Sequence, residues 1–171
     1  TGSMVGGKNI FELAEGSYAV GQIRVRQVDS KGFTVNFQTS ETYQIDKTVA
    51  TAAITLVNDS GYSNTDLLTA DGRIAVSMTG TLNAGDTWQY SLDAGKTWTQ
   101  GSGSSQTITL ANGVYNAQQI RVQVTDQAGN SSSASFDKRM VVDNTDTSAP
   151  VFSSSASVYL IDRDGTATAR T

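Results

Sequence analysis

The groups in this chain able to do chemistry are almost all carboxylates. There is no Cys and no His, which removes thiol nucleophiles, histidine bases, zinc clusters and disulfides together. What remains is a set of aspartates gathered where the chain is expected to turn. Asp59, Asp66 and Asp71 fall in one connection, and Asp126 and Asn130 flank a later turn. Asp46, Asp143 and Asp146 sit in segments that read as linkers, and Asp162 and Asp164 precede Gly165. Carboxylate and carbonyl oxygens in loops are the donor set of Ca2+, which takes roughly six to eight of them. The candidate metal ligands are therefore Asp46, Asp59, Asp66, Asp126, Asp143 and Asp146. Asp126 is expected to face Asp46 across one junction, and Asp59 and Asp66 to face Asp143 and Asp146 across the other. Ordinary Asx turns and solubilising charges use the same residues. Aspartates clustered in turns do not favour the paired carboxylates of glycoside hydrolysis, so the chain reads as non-catalytic.

Two motifs imitate functional sites. Ser91-Leu92-Asp93-Ala94-Gly95-Lys96-Thr97-Trp98 fits the Asp-box pattern S-x-D-x-G-x-T-W. Its mechanics are local: Asp93 accepts turn amides, Gly95 takes positive φ, and Trp98 packs beneath the hairpin. Sialidase propellers carry several such boxes, one per blade, and a single copy reads as structural. Gly95-Lys96-Thr97 matches the end of a phosphate loop, but Tyr90 stands where its first Gly belongs, and the context is a hairpin.

The elements that must position these residues are strands. Ala53–Val57, Arg73–Met78, Thr87–Ser91, Thr97–Thr99, Thr107–Leu110, Gln119–Val124 and Phe136–Val142 show period-two alternation between Gly and Asn turns, which predicts β structure throughout and no helix. They take the places A, B, the central hairpin, E, F and G of an immunoglobulin-like sandwich. Tyr115, where E turns into F, stands at the place of a tyrosine corner.

A shift of 97 residues aligns two parts of the chain without a gap. Leu13-Ala14 falls on Leu110-Ala111, Gly16 on Gly113, and Tyr18 on Tyr115. Gln22-Ile23-Arg24-Val25 falls on Gln119-Ile120-Arg121-Val122, Asp29 and Gly32 on Asp126 and Gly129, and Asp46 and Thr48 on Asp143 and Thr145. A period near this length suits a sandwich in tandem. The expected fold class is an all-β, immunoglobulin-like β-sandwich repeat with partial repeats at both ends. Residues 1–8 are a lead-in whose Thr1-Gly2-Ser3-Met4 looks like an expression scar. Residues 9–49 supply strands E, F and G of a preceding repeat, 50–146 form a complete one, and 147–171 open a third. In that third unit Val151 falls on Ile54 and Asp164-Gly165 on Asp71-Gly72, with a shorter loop between. The two partial units point to head-to-tail pairing between copies, the tail of one molecule docking on the head of the next.

Net charge is −4 and the pI about 4.6, so the chain has no basic footprint for nucleic acid. No apolar run approaches a membrane span and no signal peptide opens the sequence, so no membrane insertion is expected. A cysteine-free, acidic chain rich in Ser and Thr fits exported bacterial proteins.

Three segments together resemble one family. Asn58-Asp59-Ser60-Gly61, Thr65-Asp66 and Asp71-Gly72 resemble the A–B signature of bacterial Ig-like repeats in giant RTX-type adhesins. Tyr90 to Trp98 is similar to their central hairpin, and Ile120 to Asn130 to their F–G segment. The resemblance covers the central unit and, less closely, both ends. Departures are Phe33 where the second unit has Asn130, and Ala53 where the next has Pro150. It implies an extracellular, type I-secreted cell-surface protein of biofilm or host attachment, whose repeats act as extenders with calcium stiffening the joints between neighbouring repeats. The competing expectations are a module binding sugar or peptide through exposed Tyr62, Trp88 or Trp98, and an accessory domain of a secreted glycosidase.

Overall fold

The structure, a computed structural model, describes residues 3–5, 8–145, 159–161 and 167–169. Asp146, Val151, Asp162, Asp164 and Gly165, on which part of the repeat and metal reading rests, lie outside the described residues. The described chain is all β, built of several small sheets that are antiparallel but for one pairing.

In chain order the strands are β1 (Ser3–Val5), β2 (Lys8–Ile10), β3 (Gly16–Tyr18), β4 (Arg24–Val28), β5 (Thr34–Gln38), β6 (Tyr43–Ile45), β7 (Thr51–Leu56), β8 (Leu68–Thr69) and β9 (Arg73–Thr79). There follow β10 (Thr87–Ser91), β11 (Thr99–Gln100), β12 (Ser105–Thr109), β13 (Gly113–Tyr115), β14 (Arg121–Thr125), β15 (Ser131–Ser135), β16 (Met140–Val142), β17 (Tyr159–Ile161) and β18 (Ala167–Ala169). One sheet runs β11-β10-β14-β15, a second β12-β9-β7 and a third β13-β16-β8, the last joined by the parallel β16/β8 pair. Strands β1/β2, β3/β6, β4/β5 and β17/β18 form two-stranded ribbons.

Alternation along the strands places one face of each sheet on a shared core. Ile74 and Val76 of β9, Ile108 of β12, Trp88 of β10, Val122 and Val124 of β14, and Met140 and Val142 of β16 are buried together with Ala50, Leu110 and Ile120. At about 1.5–3 kcal/mol for each large aliphatic side chain taken out of water, this cluster dominates the stability of residues 50–145. Gly101 is dictated by it: a Cβ there would lie 2.3 Å from three ring atoms of Trp88.

The 97-residue shift holds in three dimensions. It carries β3, β4, β5 and β6 onto β13, β14, β15 and β16 with no change of length. The registers agree as well: Gly16 faces Ile45 as Gly113 faces Val142, and Arg24 faces Gln38 as Arg121 faces Ser135. Side-chain bonds repeat too. The Tyr18 hydroxyl donates to the Ala14 carbonyl at 3.0 Å and the Tyr115 hydroxyl to the Ala111 carbonyl at 3.0 Å, the bond of a tyrosine corner. Arg24 Nε donates to the Gly21 carbonyl at 2.8 Å, and Arg121 Nε to that of Gln118 at 2.9 Å. The two stretches differ in what covers them. β14 pairs with β10 as well as β15, and β16 with β8 as well as β13, whereas β4 and β6 each have one partner. Val25 is accordingly 43% exposed where Val122 is 0%, and Tyr43 is 43% exposed where Met140 is 0%.

The expected single strand over Phe136–Val142 is corrected. Only Met140–Val142 of it is strand (β16), and β15 ends just before it at Ser135. Exposed Asp137, Lys138 and Arg139 carry the chain from one sheet to another, so no single ladder spans the segment. Gly113–Tyr115, at the expected passage from E to F, forms a further strand, β13.

Candidate metal sites and the hairpin motif

The F–G turn and the entry to β7 meet through an amide. Asp126 is almost wholly buried, and its Oδ1 accepts the Asn130 backbone N–H at 2.7 Å. Asn130 Nδ2 donates to Asp126 Oδ2 at 2.7 Å and to the Asp46 carbonyl at 3.0 Å. The Asn130 side chain holds the Asp126 carboxyl below the usual carboxylate range, opposed by burial and helped by turn amides. The Asp46 carboxylate turns the other way and accepts the Thr48 N–H at 3.1 Å. The Asn130 amide thus links the Asp126 carboxylate to the Asp46 backbone carbonyl. In the first unit Phe33 stands at the Asn130 position. Its backbone N–H reaches Asp29 Oδ1 at 2.8 Å, but it has no amide to bridge with.

The opposite pole is organised by a residue that sequence reading passed over. Thr69 is 1% exposed. Its hydroxyl donates to the Asn58 carbonyl at 3.0 Å and accepts the backbone N–H of Asp71 at 2.9 Å and of Ser60 at 3.2 Å. The carbonyl of Thr69 accepts the Asp143 N–H at 2.8 Å, which sets the A–B connection beside the strand that leaves the unit. Asp59 Oδ2 accepts the N–H of Leu67 at 2.9 Å, a residue held at φ of 60°, where non-glycine residues are strained. Asp66 Oδ1 caps Leu68 at 3.1 Å, and Asp143 Oδ1 accepts the Thr145 N–H at 3.1 Å. The Thr145 hydroxyl and N–H hold the Asp143 carboxyl below its ordinary range. Asp71 is paired with Arg73 at 2.7 Å.

The fit to a cation differs between the two poles. Both oxygens of Asp126 are engaged by Asn130. Asp59 Oδ1 is buried with no hydrogen-bond partner, and an orphaned anionic oxygen of that kind is what a bound cation satisfies. Among the described residues no three carboxylates converge closely enough to hold a metal by themselves. An ion at Asp59 would therefore draw on loop carbonyls as well, and Asp146, another expected ligand, lies outside the described residues.

The Asp-box residues form the turn that their types predict. Ser91, almost wholly buried, donates from Oγ to Asp93 Oδ1 at 2.7 Å and accepts the Gly95 N–H at 2.8 Å. Thr97 donates its hydroxyl to Asp93 Oδ2 at 2.6 Å and its N–H to Oδ1 at 2.8 Å. These bonds, the Thr97 hydroxyl first, drive the Asp93 carboxyl far below its ordinary range. A carboxylate so committed is a turn brace and a poor proton donor. Gly95 takes φ of 91°, and its Cα faces the Trp98 ring. Of the aromatics expected to stack on ligands, Trp88 is corrected. It is 3% exposed and donates Nε1–H to the Gly103 carbonyl at 2.9 Å, because the small residues Gly101 to Gly103 open room for the ring. Trp98 is 38% exposed and Tyr62 stands fully in solvent. No protein-family model matches the chain, and no curated protein matches it.

Proposed function

We propose that the chain is a structural extender of a secreted bacterial cell-surface adhesin, made of immunoglobulin-like sandwich repeats that hold an adhesive domain away from the cell. The observation that supports this best is the strand-for-strand repetition at 97 residues, with registers and side-chain bonds repeated. A rod needs the same unit again and again, whereas a catalytic or ligand site needs only one. In this reading residues 9–49 close a preceding repeat, 50–146 are a whole repeat and 147–171 begin another. The uncovered apolar face carrying Val25 and Tyr43 is completed by strands of the β7–β12 kind. These come from neighbouring repeats or, head to tail, from a second copy. The amide latch Asp126–Asn130–Asp46 stiffens one junction, and calcium at Asp59, with Asp66, Asp143 and Asp146 nearby in sequence or fold, stiffens the other. The chain works outside the cell and is not an enzyme.

Small-angle scattering and thermal melting of the chain in millimolar calcium and in EDTA test the reading, since extracellular sites bind at roughly 10⁻⁴–10⁻³ M. Calcium is expected to lengthen the particle and raise its melting point, and Asp59→Asn to abolish both effects. Curves that ignore calcium would remove the ion from the proposal. Saturable hydrolysis of a glycoside by the purified chain would remove the extender itself.

A further inference from the structure

The 97-residue repetition also duplicates a groove. On the face of β14–β15 opposite the core, Trp98, Gln118, Arg121, Gln123, Ser133 and Ser135 line an open depression of about 310 Å³. Arg121 lies across from Ser135, and Gln123 from Ser133. On β4–β5 a second depression, of about 360 Å³, is lined by Arg24, Val25, Arg26, Asn36, Phe37 and Gln38, where Arg24 lies across from Gln38 and Arg26 from Asn36. Arg24, Arg26, Asn36 and Gln38 are the residues that the shift sets on Arg121, Gln123, Ser133 and Ser135. Strand alternation buries the Val122 and Val124 side chains in the core and sets Arg121 and Gln123 on the other face.

Both grooves hold an arginine in the same way. Nε is fixed to the carbonyl three residues earlier, Gly21 for Arg24 and Gln118 for Arg121, which orients the guanidinium and leaves its two terminal nitrogens free. Among the described residues the ion pairs are Lys47–Glu12 and Arg73–Asp71, so neither groove arginine is neutralised. Asp93, the nearest carboxylate along the hairpin, spends both oxygens on Ser91 and Thr97. A pre-oriented guanidinium is a fork for a planar carboxylate. The amides and hydroxyls around it match sugar hydroxyls, and the exposed Trp98 ring gives one groove a face on which a pyranose stacks. The net charge of −4 opposes every polyanion at long range, so binding here rests on the local guanidinium fork and its polar neighbours.

We propose that the outer face of the β14–β15 pair, and of its counterpart β4–β5, is a saccharide-binding groove in which Arg121 and Arg24 take the carboxylate of an acidic sugar. This adds a binding role to the extender. Two grooves one repeat apart engage a single polysaccharide chain, so weak single sites add up through effective concentration.

Affinity electrophoresis and titration of the whole chain with polygalacturonate, alginate and hyaluronan test this, with a methyl-esterified galacturonan and polyphosphate alongside. At least one carboxylated polymer is expected to bind and to change the emission of Trp98. Arg121→Gln is expected to weaken binding about tenfold or more, Arg121→Lys to restore it only in part, and Arg24→Gln with Arg121→Gln to abolish it, all with unchanged melting. Esterification is expected to weaken binding as Arg121→Gln does. The proposal is overturned if none of the three polymers binds, if the double variant binds as the wild type does, or if the ester or polyphosphate binds equally well.

Discussion

Replacing Thr69 by Val keeps the shape of a buried side chain and removes one oxygen. That oxygen serves Asn58, Ser60 and Asp71 at 3.0, 3.2 and 2.9 Å, and Thr69 is 1% exposed. The variant leaves one carbonyl and two N–H groups short of a partner. An unsatisfied buried group costs about 1–3 kcal/mol. Asn58 is exposed and Ser60 half-buried, so water reclaims part of this, and the expected loss is about 2–4 kcal/mol. For a chain of this size that lowers the melting temperature by roughly 4–16 °C. Urea unfolding followed through the emission of buried Trp88 measures it. Thr69→Ser keeps the oxygen and loses a methyl, which costs about 0.8 kcal/mol. A Thr69→Val protein within about 0.5 kcal/mol of wild type, or a Ser variant as unstable as the Val variant, would refute the role given to this hydroxyl. The same hydroxyl shapes the connection that holds Asp59, so calcium binding there is expected to weaken with Thr69→Val and to survive Thr69→Ser, as read by titration calorimetry.

Gly101→Ala places a methyl 2.3 Å from the Trp88 ring and is expected to cost about 1–3 kcal/mol through overpacking, with a shift in Trp88 emission as the check. Tyr115→Phe loses the bond to the Ala111 carbonyl and is expected to cost about 1 kcal/mol. Tyr18→Phe, in the uncovered partial unit, is expected to leave the main transition unmoved, and paired urea melts distinguish the two. The carboxyls of Asp93, Asp126 and Asp143 are depressed in the folded chain. Their contribution is present above the unfolded value of about 3.9 and is lost as pH falls below it. Stability should therefore be level near neutrality and decline below about pH 4, as melting from pH 7 to pH 2 would show.

The alternation of Ile74-Ala75-Val76 and of Val122-Gln123-Val124 announces strands with one buried face, because a period of two has only one way to hide its apolar members. The 97-residue shift went further: it relates β3–β6 to β13–β16 residue for residue, though the three strands expected in the partial stretch proved to be four. What stayed hidden lies where local composition and tertiary contact disagree. Ser131-Ser132-Ser133-Ala134-Ser135 reads as a linker, yet it is β15. Its partners on β14 supply the ladder, and the Ser132 hydroxyl reaches the Ala50 carbonyl at 2.6 Å. Trp88 and Trp98 look alike in sequence, and the discriminating signal was the pair of glycines at 101 and 103 that makes room for one ring. The aspartates were the least legible. Each caps a turn a few residues away, as with Asp66 on Leu68 and Asp93 on Thr97, and that much spacing reveals. Whether a carboxylate is left with an oxygen to spare depends on how its loop folds back, which residue types do not state. Asn130 takes up both oxygens of Asp126, while a folded-back loop leaves Asp59 Oδ1 with none. Equal residue types at similar turns thus end as a fully hydrogen-bonded carboxylate at Asp126 and a buried, unpartnered carboxylate oxygen at Asp59.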